Sequence, residues 1–148
     1  MQTNSTRTQT VDQLNSFLRG ELSAAESYRQ TLAKLPDTRY RTTLEQCARS
    51  HQERADLLTR EVRRLGGDPA QTSGVWGTFA QLVTTSARAF GENAAIKALE
   101  EGEDHGRDDY QRDLKDLELD TQTLIRQKVL PEQLRTHSAI SALKKSLD

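Results

Sequence analysis

The chain holds one cysteine, Cys47, among 148 residues. That excludes an intramolecular disulfide framework and a cysteine-based zinc site. Proline occurs three times and glycine eight times, so these residues punctuate the chain rather than spread through it. Charge of one sign is also lacking: the net charge is −1, which points to no nucleic acid and no anionic membrane surface as partner. No apolar run is long enough for a signal peptide or a membrane span, so the cytoplasm is the expected location. There is no phosphate-binding glycine loop and no nucleophile–base pair.

What is there is helical periodicity over a length that suits one domain with a proper core. Residues 1–9 are polar and rich in Thr, Gln and Ser, and read as a loose tail. Thr10 or Asp12 can cap the first helix. Its apolar stripe runs Leu14, Leu18, Glu21, Ala25, Tyr28, Leu32, Leu35, the seam of a packed bundle helix. Pro36-Asp37 breaks the chain. The second stripe runs Leu44, Cys47, His51, Ala55, Leu58, Val62, Leu65 and stops at Gly66-Gly67, with Pro69 beyond. Cys47 reads as a small buried hydrophobe.

A crossover follows, with a short apolar helix around Trp76, Phe79, Leu82 and Val83. The third stripe is Ile96, Leu99, Glu103, Gly106, Tyr110, Leu114, Leu117. After a turn near Asp120 the fourth is Leu130, Leu134, His137, Ile140, Lys144, Leu147, and Pro131 predicts a kink or a fresh helix start within it. The expected helices are 10–35, 38–65, 92–118 and 121–147.

The halves repeat each other. An offset of 82 lays Leu14, Glu21, Tyr28 and Leu35 on Ile96, Glu103, Tyr110 and Leu117. An offset of 86 lays Leu44, Ala48, His51 and Leu57 on Leu130, Leu134, His137 and Leu143. The reading is one domain over 10–148, built from duplicated hairpins 10–65 and 92–148. Within each hairpin Glu and His stand equally far from the turn, on the order of 20 Å at roughly 1.5 Å per residue. Four polar residues on apolar stripes, Glu21, His51, Glu103 and His137, are therefore expected to meet near the bundle midpoint.

Leu14-Asn15, Glu21-Leu22, Ala25 and Tyr28 resemble the first helix of the ferritin-like superfamily. Arg64-Leu65-Gly66-Gly67-Asp68-Pro69, Gly74-Val75-Trp76-Gly77 and Ala98-Leu99-Glu100-Glu101-Gly102-Glu103-Asp104 resemble, more closely, a bacterial family of stress-related four-helix bundles of unsettled function. The resemblance implies an all-α, ferritin-like four-helix bundle with one long crossover containing a short helix. Its superfamily ligand set is one Glu from each of two helices and a Glu-x-x-His from each of the other two. This chain departs from it: Ala48 and Leu134 stand three residues before His51 and His137. A ferritin-type dinuclear site cannot be carried over intact.

Two functional readings follow. In the first, Glu21, His51, Glu103 and His137 hold one metal ion (iron, zinc or manganese), carboxylate and imidazole together suiting such ions, with Tyr28 and Tyr110 behind them and a stress-related role. In the second no metal is bound. The same residues, with Arg54 pairing a Glu in place of a metal's charge, form a buried ion-pair network in a structural or interaction protein. His105, off the stripe, reads as a surface histidine. Trp76, Phe79 and Phe90 carry more apolar surface than a short connector needs, which predicts a homodimer.

Overall fold

A computed structural model describes residues 4–35, 38–74, 85 and 91–147. It is an all-α bundle of four long helices, and the described residues include no strand. Helix α1 spans Asn4–Lys34, α2 Thr38–Arg64 and α3 Glu92–Asp113. A 3-10 turn at Leu114–Asp116 leads to α4, Leu119–Leu124. A π-helical turn at Ile125–Val129 joins α4 to α5, Leu130–Leu147, so these pieces form one continuous fourth rod. No described helix is long and apolar enough to cross a membrane.

The core falls into two apolar clusters. One end of the bundle gathers Leu14, Leu18, Leu58, Val62, Leu117, Ile125 and Val129. The other gathers Leu35, Tyr40, Leu44, Cys47, Ile96, Leu99 and Ile140. Helices α2 and α3 therefore both begin at the second end and finish at the first. The connection from Gly66 to Gly91 must travel the length of the bundle, the one-crossover topology. The expected crossover helix, with Trp76, Phe79, Leu82 and Val83, lies outside the described residues, as do Phe90 and the Pro36-Asp37 break.

The stop after α2 has a visible cause. Gly66 takes φ +81°; its N–H bonds the Arg63 carbonyl and the Gly67 N–H bonds the Val62 carbonyl, both at 2.9 Å. This is the glycine-ended pattern that satisfies the last carbonyls of a helix. A Cβ on Gly67 would lie 2.5 Å from Val11 Cγ1, so glycine is needed there for close approach to α1. Asn15 then ties the outgoing chain to α1, donating to the Asp68 carbonyl at 2.9 Å and accepting from the Ala70 N–H at 2.8 Å.

Three boundary expectations need correction. Residues 4–9, expected as tail, extend α1; nothing in them breaks a helix. Thr10 is no cap but fully buried, and its Oγ1 accepts the Glu118 N–H at 3.0 Å, securing the start of α4 from across the bundle. The second turn lies at 114–118 rather than near Asp120. The kink expected of Pro131 takes the form of the π-helical turn just before it. Proline lacks an N–H and its ring clashes with the carbonyl four residues back, and wider winding relieves both.

Candidate functional site

Between the two apolar clusters lies a polar layer. Glu21 of α1, His51 and Arg54 of α2, Glu103 of α3, and Gln133 and Thr136 of α5 are all buried. Each sits where its helix faces the bundle axis. His51 is at the middle of the layer. Its Nδ1 is 2.6 Å from Glu21 Oε2 and its Nε2 is 2.9 Å from Glu103 Oε2. The repeat is visible as a crossed pair of phenols: Tyr110 donates to Glu21 Oε1 at 2.7 Å, and Tyr28 donates to Glu103 Oε2 at 3.3 Å. Each tyrosine thus serves the glutamate of the other helix. Tyr28 also stacks on the His51 ring, centroids 5.3 Å apart.

Arg54 completes the layer. Its Nη1 lies 3.6 Å from Glu21 Oε1, donates to Gln133 Oε1, and its Nη2 donates to Thr136 Oγ1 at 3.1 Å. Thr136 in turn donates to Glu103 Oε1. Gln133 Nε2 donates to the Glu103 backbone carbonyl at 2.8 Å. That approach requires Gly106, where a Cβ would fall 2.8 Å from the amide nitrogen of Gln133.

The charges balance. Burial raises both carboxyl groups, but Arg54 with His51 at Glu21, and His51 with Arg54 at Glu103, outweigh it and hold both below the ordinary range. Burial and Arg54 push His51 down, yet the two carboxylates outweigh them and hold its imidazole above its ordinary value. Two carboxylates therefore face one imidazolium and one guanidinium. Burial and the adjacent carboxylates push Tyr28 and Tyr110 well above the usual phenol range, so both remain neutral donors. Burial, then Glu103, pushes the Cys47 thiol up to about 12, consistent with an inert hydrophobe.

Of the four expected ligands, Glu21, His51 and Glu103 meet and His137 does not. His137 is half-buried and bonds Asp104 at the edge of the α3–α5 contact. Register explains the correction. The offset of 86 placed Ala48 on Leu134, which is 41 % exposed. Burial pairs Leu44, Ala48, His51 and Ala55 with Val129, Gln133, Thr136 and Ile140, an offset of 85. One residue is about 100° of helix rotation, enough to carry His137 off the core face. Gln133 and Thr136 were missed because they are polar, so the pattern skipped to Leu134 and His137 beside them. Their signal is the buried spacing Val129, Gln133, Thr136, Ile140. His105 is exposed, as expected.

The donor set does not suit a metal ion as it stands. A ligating imidazole offers a lone pair to the ion and its other nitrogen to a partner, whereas both nitrogens of His51 are engaged by carboxylates. Arg54 brings a second cation to the same layer. No group of three or more His, Cys, Asp or Glu among the described residues is arranged to hold a metal ion.

The family described as Domain of unknown function (DUF2383) matches residues 9–116, more than half of the chain. The chain belongs to the DUF2383 family. No curated protein and no solved structure matches it. The DUF2383 match covers Glu21, Tyr28, His51, Arg54, Glu103 and Tyr110 but ends before Gln133 and Thr136.

Proposed function

We propose that this DUF2383 protein is a ferritin-like bundle whose mid-bundle centre is a metal-free ion-pair network, and that it works as a stress-related structural or interaction protein rather than as an oxidase. The one-crossover topology and the two glutamates on separate long helices support the ferritin-like assignment. The stress-related role rests on the sequence resemblance. One observation carries the metal-free reading: Arg54 stands beside Glu21 while both nitrogens of His51 are engaged, so the internal cations match the two carboxylates. In this reading the cluster fixes helix register, because only one alignment of four helices satisfies every buried charge.

The test is metal analysis of protein purified without a His-tag, together with melting curves with and without chelator. Substoichiometric metal and unchanged melting are expected. Stoichiometric iron, zinc or manganese, with melting lowered by chelator, would overturn the reading in favour of a mononuclear centre at Glu21, His51 and Glu103.

A further inference from the structure

A cavity of about 50 Å³ lies against the polar layer between α1 and α3. Its floor includes Glu21 and Glu103 with Tyr28, Tyr110 and His51, and Phe17 forms part of its wall. Gly20, Ala24 and Gly102 line it and keep it open. Gly20 is the telling residue. A Cβ there would meet nothing within 4 Å among the described residues, so none of these demands a glycine, although glycine inside a helix costs roughly 0.8–1 kcal/mol relative to alanine. The local rule is broken with no packing gain, and the result is open space over the charged layer. Such violations concentrate at functional sites.

The hydrogen-bond inventory says what would fit. Both His51 nitrogens and the hydroxyls of Tyr28, Tyr110 and Thr136 are engaged on the carboxylates. The Ser27 hydroxyl is turned back to the Ser23 carbonyl, and Gln133 donates to the Glu103 backbone. These donors of the layer point at the carboxylates or the backbone, which leaves the Ser16 hydroxyl and the second Gln133 N–H as further donors of the lining. Acceptor sites remain: a carboxylate offers about four lone-pair sites, and Glu21 uses two for hydrogen bonds besides its Arg54 contact. A ligand carboxylate would meet Glu21 and Glu103 as like charges, which is unfavourable, and an alcohol has one donor to offer them where an ammonium has three. An ammonium group has donors only. Phe17, Tyr28 and Tyr110 give the lining an apolar part for a short alkyl group.

We propose that this cavity is a binding site for a small primary ammonium ion, entered between α1 and α3. The proposal rests on the metal-free reading of the centre. The probe is methylammonium chloride, titrated into the untagged full-length protein and followed by amide and tyrosine-ring NMR, with metal content measured on the same sample. Saturable shifts centred on Gly20, Gly102, Tyr28 and Tyr110 are expected, absent with sodium acetate and weaker with methanol. Gly20→Leu should abolish them by filling the cavity. Absence of saturable shifts in metal-free protein overturns the site and leaves the metal-free reading standing. Equal response to methanol overturns the ammonium class. Stoichiometric metal in the sample overturns the reading beneath it. Shifts that persist unchanged in Gly20→Leu place the ligand elsewhere and overturn the proposal. Should that variant fail to fold, Ala24→Leu blocks the same cavity from the next turn of α1 and decides by the same outcomes.

Discussion

Arg54 and His137 show how differently two basic side chains on bundle helices can matter. Arg54 is 1 % exposed and touches Glu21, Gln133 and Thr136. Removing one partner of a buried pair strands the other charge and typically costs about 3–5 kcal/mol. Arg54→Met is expected to destabilise by that amount in urea denaturation, and a loss below about 1 kcal/mol would mean that Glu21 is not held by Arg54. His137 pairs with Asp104, whose side chain is 47 % exposed. Half-exposed ion pairs contribute at most about 1 kcal/mol. His137→Ala should therefore stay within that margin, and equal losses for the two variants would sink the assignment of His137 to the periphery. Sequence placed Arg54 behind the centre and His137 within it. The reversal at His137 follows from a single residue of register.

At the scale of the helix, the determining features are where glycine sits and how the fourth rod winds. Gly20 and Gly106 both lie in helix interiors, but they face different surroundings. Gly20→Ala enters space that no described residue fills and removes a helix-breaking residue, so a gain of roughly 0.5–1 kcal/mol is expected from thermal or chemical unfolding. Gly106→Ala meets the Gln133 amide and should lower stability despite the better propensity; a gain at both positions would show that Gln133 yields freely. In the fourth rod the buried positions Ile125, Val129 and Gln133 are spaced four apart. A regular α-helix drifts off one face at that spacing. The π-helical turn at Ile125–Val129 absorbs the drift, and it is why Gln133 and Thr136, rather than Leu134 and His137, face the glutamates.

Across the whole molecule, a neutral polar layer between two apolar clusters makes stability depend on pH from both sides. The carboxyl groups of Glu21 and Glu103 are held below their ordinary 4.5. Their contribution is present above that value and is lost as the pH falls through the folded values. His51 is held above its ordinary 6.5; its contribution is complete below that value and is lost as the pH rises through the folded one. The melting temperature should be highest between about 4.5 and 6.5 and fall on either side. His51→Gln should flatten the alkaline limb and also weaken the acid limb, because His51 helps hold both carboxyl groups down. A wild-type melting temperature that climbs steadily to pH 9 would show that His51 is neutral in the folded protein.

The four long rods, the stop at Gly66-Gly67 and the meeting of Glu21, His51 and Glu103 were all legible in the sequence. Each rests on local chemistry: periodic apolar positions, a glycine free to take positive φ, and a balanced distance from a turn. The extension of α1 to Asn4 was not legible, because a polar helix end looks like a tail until Thr10 is seen against Glu118. Nor was the full polar layer. Hydrophobic periodicity marks a core face only where that face is apolar, and at the centre of this bundle it is not. The identity of the fourth contributor was decided by one residue of winding in the last rod. Only the packed arrangement, where Gln133, Thr136 and Arg54 share the space around Glu103 and Glu21, fixes that choice, because these contacts join helices far apart in the sequence.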